Sequence, residues 1–367
     1  MSRASELTFA ARVAVAEKIA ALKHGIAAEV NHEFFRRHPN WETRYGAAGV
    51  QRGFEDACFH LDYLAAAVET ASPALFENYG RWTGRMLESR GIAASFVVEN
   101  FEQLDAALKA RLTPEDYLCL QPCLRAGIEV LLRPVGPGTA ETDPAESRQL
   151  FRTALLLGQR GAAVNIALDA IANGAGLADV YLDLCSKALW EIGELWQLNQ
   201  ISVADEHRAT AIVQYVIAQI YARAPLQSLD RGRVVVTGVE GEMHQLGANI
   251  VADLLEAHGW NVCFLGTNLP QRAILQKIAE HRAIAVFISA TMPFNLTAVR
   301  RLVAEIRRQF PPELRIILGG QAFAAAPTFY RDAGANAFAP TARDGAALIT
   351  EPMVPAALGH ELQEHPE

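Results

Sequence analysis

No stretch of the sequence reaches the roughly 20 uninterrupted apolar positions that a membrane-spanning helix needs. A secretory signal is missing as well. The apolar run near the N-terminus is broken by Arg12, Glu17 and Lys18, so it reads as an ordinary helix. A cytoplasmic location without membrane association is the resulting expectation. There is no basic surplus either: 33 Lys and Arg face 41 Asp and Glu, a net charge of -8. A chain without a basic surface is poorly suited to neutralising phosphates, which argues against direct nucleic-acid binding. Cysteine is sparse and scattered, at Cys58, Cys119, Cys123, Cys185 and Cys263. An odd set of this kind is not a disulfide framework. Cys119 and Cys123 lie one helical turn apart, but no second Cys/His pair stands nearby to complete a zinc site. They read as packing residues. Internal repeats and low-complexity tracts are also lacking. What the chain does have is a hydrophobic fraction of 51% over 367 residues, enough for the cores of two or three domains.

Helical periodicity runs through the N-terminal third, with helices expected at about 6–36, 50–70, 74–90, 98–110 and 114–132. Breaks are expected at His38-Pro39-Asn40, Ser72-Pro73 and Thr113-Pro114. The domain reading is a helical unit over 1–135, then a linker over 136–147 centred on the Pro- and Gly-rich segment RPVGPGTAETDP. A helical bundle follows over 148–228. From 231 to 352 short apolar runs alternate with amphipathic helices: 234–236, 262–265, 284–288, 316–318 and 337–339. This alternation is the mark of a doubly wound parallel sheet. The polar tail, 353–367, is expected to be disordered. The fold class is therefore α + α/β.

Ligands of doubly wound sheets bind outside the carboxyl ends of the strands. The unusual polar and glycine clusters of the C-terminal domain all follow strands. Glu242-x-His244-x-x-Gly247 follows the first, Ser289-x-Thr291 the third and Gly319-Gly320 the fourth. A neutral imidazole at such a rim is a ready metal ligand, and a carboxylate two residues away can orient it. Gly247 admits close backbone approach, and Ser289 and Thr291 offer hydroxyls.

These elements and their separations resemble the cobalamin-binding domains of the methionine synthase and mutase type, with Glu in place of Asp and Thr in place of Leu. The resemblance implies a Rossmann-like cobalamin domain with His244 as axial cobalt ligand. Glu242, Gly247, Ser289, Thr291, Gly319 and Gly320 would then surround the cofactor and its nucleotide tail. The bundle adds Trp196, followed after nine residues by Glu206-His207. This spacing resembles the adenosylcobalamin-dependent photoreceptors, whose helical bundle caps the upper corrin face. By that resemblance Trp196, Glu206 and His207 line the upper face here. Gln197 stands where well-known members carry His, which puts a second histidine ligand from that position in doubt.

The N-terminal helical domain, set before such a bundle, is similar to the globin-like domain of the photocobilins, which binds biliverdin. On that resemblance Arg44, Arg52, Arg81 or Arg85 would pair with propionates. Tyr45, Asp56, His60, Tyr63 and Trp82 would line the bilin, Asp56, His60 and Tyr63 sharing one helix face. The function implied is a light sensor and not an enzyme. Adenosylcobalamin loses its adenosyl group in light, and this changes homo-oligomeric assembly or contact with a separate output protein. The competing expectations are a corrinoid methyl-shuttle protein of a methyltransferase system and a light-independent cobalamin sensor.

Overall fold

The computed structural model describes residues 8–133, 146–224 and 227–350. The expected tail over 353–367, and the linker up to 145, lie outside these residues. The first helix of the bundle already begins at Glu146, so it takes up the last two positions of the expected linker.

Five helices build the N-terminal domain: α1 (Phe9–Arg37), α2 (Pro39–Glu69), α3 (Pro73–Glu88), α4 (Ala94–Lys109) and α5 (Pro114–Leu132). Their starts follow from local chemistry. The side chains of Thr8, Ser72 and Thr113 accept hydrogen bonds from the backbone N–H of Ala11, Leu75 and Asp116. Pro39, Pro73 and Pro114 sit in first turns, where a missing N–H removes no helical bond. One expectation fails here. Residues 39–49 are not a loop, because α2 starts at Pro39. Only Gly46 interrupts it, with φ of 62°, a conformation that glycine adopts without a Cβ penalty. Ile19, Ile26, Leu61, Leu64, Phe76, Phe101, Leu104 and Leu120 fill the core.

The bundle comprises α6 (Glu146–Leu156), α7 (Arg160–Ala172), a composite helix and α10 (Val203–Tyr221). The composite begins as α8 (Leu177–Asp179), passes through a π-helical turn (Val180–Ser186) and continues as α9 (Lys187–Gln197). A reciprocal cap opens α10: Ser202 Oγ accepts from Asp205 N, and Asp205 accepts from Ser202 N. Phe151, Tyr181, Cys185, Ile192, Val213 and Ile217 are its buried centre.

The C-terminal domain runs β1 (Arg233–Gly238), α11 (Leu246–Ala257), β2 (Asn261–Phe264), α12 (Gln271–His281), β3 (Ala285–Ser289), α13 (Leu296–Gln309), β4 (Arg315–Gly319), α14 (Phe329–Ala333), β5 (Ala337–Ala339) and α15 (Ala342–Thr350). All strands are parallel in the order β2-β1-β3-β4-β5. The chain leaves β1 toward one edge and returns as β3 on its other side. The topological switch therefore falls between β1 and β3, where the loops diverge and leave a crevice. Gly238 pairs with Ser289, and Ser289 with Gly319, so the carboxyl ends of β1, β3 and β4 are level.

The three units pack on one another. Ile250 and Leu254 of α11 join the core of the bundle. Tyr181 Oη donates to Asp253 Oδ2 at 3.0 Å, and Tyr221 Oη bonds Glu256. The core of the N-terminal domain merges with the α12–α13 face of the sheet. Glu69, fully buried at the end of α2, accepts from Thr297 Oγ1 at 2.7 Å and Arg300 Nε at 2.8 Å. Ser72 Oγ donates to the Ala325 carbonyl at 2.6 Å.

Candidate functional site

The loop after β1 carries Glu242 and His244 at the switch point. Glu242 is fully buried, with 0% exposure, whereas the His244 side chain is 55% exposed. Their side chains are joined by a 2.7 Å contact between His244 Nδ1 and Glu242 Oε1. The carboxylate fixes the ring tautomer: Nδ1 donates, and Nε2 is left as a lone-pair donor toward the rim. The glutamate arm, longer than the aspartate of the family pattern, still makes this bond.

Every oxygen of Glu242 is used. Oε1 also accepts from His244 N at 2.9 Å. Oε2 accepts from Thr291 N at 2.8 Å, Met292 N at 3.2 Å and Asn295 Nδ2 at 2.9 Å. Burial alone would raise the carboxyl pKa. The bonds from His244, Thr291 and Asn295 outweigh it and bring the group down to about 2. The hydrogen bond to Glu242 shifts His244 upward, burial opposes this, and the charges of Glu242 and Glu206 add to the rise. Glu206, near the start of α10, therefore lies within electrostatic reach of the imidazole from the side of the bundle.

The glycines shape the floor. A Cβ on Gly247 would stand 4.0 Å from Ser289 Oγ, so α11 and the end of β3 face each other across a narrow slot. A Cβ on Gly319 would come within 3.4 Å of the Ala339 carbonyl oxygen. Gly320 has φ of 104°, and its Cβ would fall 2.3 Å from the Ala290 carbonyl oxygen. The loops after β3 and β4 close on each other there. A cavity of about 300 Å³ adjoins this rim, lined by Gln214, Ala218 and Tyr221 of α10 and by Gln245, Leu246, Asn249 and Asp253. That is room for a small group at the edge of a large ligand.

Of the residues expected at the upper face, Trp196 is half-buried and Glu206 partly exposed. His207 is 75% exposed and pairs through Nδ1 with Glu206 Oε2 at 2.7 Å. The imidazole is thus held by its neighbour.

The expected bilin residues are not brought together. His60 is buried in the core, with Nδ1 2.7 Å from Tyr79 Oη and its ring edge-on to Phe101 at 5.0 Å. Burial pushes its pKa down to about 3. Tyr63 stacks on Tyr79 at 3.8 Å and meets Phe294. Burial raises the Asp56 carboxyl to about 6. Arg44 covers the Tyr45 ring near the kink of α2, Arg52 pairs with Glu55, and Arg81 pairs with Glu77. Trp82 faces Trp196 of the bundle at 6.2 Å. On the face shared by Asp56, His60 and Tyr63, Tyr79 of α3 takes up both rings: it bonds His60 and stacks on Tyr63, which also meets Phe294 at the domain boundary.

Sequence reasoning missed Asn295 and the Thr291 and Met292 amides. A polar residue within Pro-Phe-Asn-Leu, just after a rim motif, was the available signal for Asn295. The backbone donors leave no trace in side-chain identity.

Comparison with known proteins agrees with this geometry. Residues 232–349 match the family model of the B12 binding domain, and residues 148–221 match a second model also described as a B12 binding domain. Dimethylamine corrinoid protein 2 of Methanosarcina mazei is 29% identical over 166 residues, 44% of this chain and 74% of that protein. A corrinoid protein of Desulfitobacterium hafniense is 20% identical over 206 residues, 55% of this chain and 94% of that protein. The monomethylamine corrinoid protein of Methanosarcina barkeri aligns in structure over 54% of this chain and 94% of its own, with 18% identity and a TM-score of 0.47. This chain thus carries B12-binding domains, a helical one at 148–221 and a doubly wound one at 232–349, and its relatives over that region are corrinoid proteins.

Proposed function

We propose that the chain holds a corrinoid with His244 Nε2 as the lower cobalt ligand and serves as the methyl-carrying component of a methyltransferase system. The observation that carries the corrinoid reading is the exposed imidazole whose Nδ1 is tied to a buried carboxylate that accepts five hydrogen bonds. Such a ring keeps one orientation and one tautomer. The curated relatives are corrinoid proteins, one of them named for dimethylamine, which favours methyl carriage over light sensing. When bound, the corrinoid supplies a cobalt atom that holds and releases an alkyl group on its upper face. The chain's part is to orient His244, to seat the nucleotide tail beside Gly247, Ser289 and Gly319, and to cover the upper face with the bundle.

A second reading has its own support. Trp196 and Glu206 keep the spacing of the adenosylcobalamin photoreceptors, Glu206 acts electrostatically on His244, and Trp196 is anchored to the N-terminal domain. A fixed cap suits a sensor of adenosylcobalamin and light, and biliverdin would belong to that reading alone. It requires the α2–α3 packing to open, since His60 and Tyr63 are engaged. One experiment separates the readings. The purified protein is loaded separately with methylcobalamin and adenosylcobalamin in the dark, and spectra and mass are recorded before and after green light. Methyl transfer to or from a partner methyltransferase, with no light-dependent change in assembly, supports carriage. Light-driven change in assembly with the adenosyl form overturns it. A His244→Ala chain that keeps the wild-type cobalt spectrum would overturn both.

A further inference from the structure

The matched regions begin at residue 148, so nothing in them speaks for the N-terminal domain. Among the described residues, a set of its hydrogen bonds and ring contacts with the bundle gathers at Trp196 and Gln197. Helix α9 ends there. An α-helix leaves its last carbonyls without internal partners and gathers negative partial charge at that end. The last turn of α9 has no basic residue of its own. Arg90, just past α3, supplies the cation from another domain. Its Nη1 donates to the Gln197 carbonyl at 3.0 Å, and its Nη2 to the Trp196 carbonyl at 3.3 Å. The guanidinium also lies over the Trp196 indole, 5.6 Å from the ring centroid. Ser89 Oγ donates to the Gln197 carbonyl at 2.9 Å. The Gln197 side chain returns a bond to the Trp82 carbonyl at 3.2 Å, and the Trp82 and Trp196 rings are 6.2 Å apart.

The fork itself is held in place. Arg90 Nη1 also donates to the Met86 carbonyl at 2.8 Å and lies 3.1 Å from Ser89 Oγ. Asn199, next after Leu198, takes the left-handed conformation with φ of 56°, which ends the helix at this point. The α9 terminus is therefore shaped for an external cation, and a planar guanidinium reaches two carbonyls and a ring face at once, which an ammonium does not.

We propose that Arg90, assisted by Ser89, is a positioning residue: it pins Trp196 at the end of α9 and so makes the N-terminal domain the clamp on the bundle that would cover the corrin's upper face. Access of a reagent or partner to that face then requires α3 to release the end of α9. The part concerning access rests on the corrinoid reading; the clamp does not.

The test uses the full chain with Arg90→Ala, Arg90→Lys and Ser89→Ala. In the corrinoid-free protein, hydrogen exchange of backbone amides in 195–202 is measured. Loss of charge-assisted bonds to two carbonyls should speed it by about tenfold in Arg90→Ala. Smaller increases are expected for the other two variants. In protein loaded with aquocobalamin, the rate at which cyanide reaches the upper face should rise in the same order. Cobalamin affinity and the His244-ligated spectrum should stay as in wild type, a split that general destabilisation would not produce. Wild-type exchange and wild-type cyanide rates in folded Arg90→Ala and Ser89→Ala would overturn the proposal. Failure of the wild-type chain to bind cobalamin would defeat the functional reading and leave the exchange result to judge the clamp.

Discussion

Phe294, in the turn before α13, meets the ring of Tyr63 from α2 at a centroid distance of 5.6 Å with the planes 80° apart. Phe59, one turn earlier on α2, flanks the Phe294 ring at 6.2 Å. The turn that carries Phe294 also carries the Thr291, Met292 and Asn295 donors to Glu242. The N-terminal domain thus buttresses, from outside, the segment that holds the carboxylate behind His244. Two further bonds, from Thr297 and Arg300 to Glu69, fasten the start of α13 to α2.

Cutting that buttress should loosen the two domains. Phe294→Ala removes the edge-to-face contact with Tyr63 and a partly buried ring, with an expected loss of about 1–3 kcal/mol. Urea unfolding followed by tryptophan fluorescence is the measurement. A variant as stable as wild type would show that the ring contacts contribute nothing.

Glu242→Gln should destabilise the folded chain and weaken its hold on the imidazole. The carboxyl is brought from an ordinary value near 4.5 to about 2. A depressed carboxyl stabilises the fold above the unfolded value, and that contribution disappears as pH falls through the folded one. The variant should therefore be less stable by about 3 kcal/mol at neutral pH. The gap to wild type should close between pH 4.5 and 2. Denaturation curves at several pH values check both the size and the direction.

His60 gives the opposite residue type with the same slope. Buried and neutral, it titrates near 3 instead of 6.5. The unfolded chain takes up a proton that the folded chain refuses, so stability falls as pH drops from 6.5 toward 3, by up to ~4 kcal/mol at the lower end. In His60→Gln that part of the pH dependence should be absent. Parallel stability–pH curves for the two proteins would contradict the placement of the ring.

Gly320→Ala should be among the more damaging single-methyl additions. Its φ of 104° is unfavourable for any residue with a Cβ, and the added carbon would strike the Ala290 carbonyl at 2.3 Å. A loss of about 2–4 kcal/mol is expected. Gly247→Ala meets no such clash, the nearest atom being Ser289 Oγ at 4.0 Å. It should keep wild-type stability while reducing corrinoid affinity, which thermal melts and a spectral titration distinguish.

The fold was largely legible because its signals are periodic. The apolar runs at 234–236 and 316–318 lie inside β1 and β4, and the run at 337–339 coincides with β5. The pairing within the rim motif was legible because an imidazole two residues from a carboxylate on one loop is within reach of it, and the structure joins His244 to Glu242. The start of α2 was misjudged, as proline and asparagine beside His38 look like a loop, while Pro39 in fact opens a helix. The residues expected at a bilin are not gathered into one open site, for a different reason. A spacing of i, i+4, i+7 places side chains on one face, but which of them turn inward depends on the partner helix. Tyr79 decides that for His60. Arg90 was invisible because its acceptors are backbone carbonyls more than a hundred residues away.

The π-helical turn at Val180–Ser186 sets the angular phase of everything after it in the composite helix. Each residue advances a helix by about 100°, and a π turn absorbs one extra residue without breaking the rod. Regular winding of the same seven residues would turn the indole of Trp196 by about a quarter-turn, off Arg90, whereas deleting one residue within the turn would restore regular winding and leave that phase nearly unchanged. The orientation of the cap is thus counted out ten residues before the tryptophan is reached.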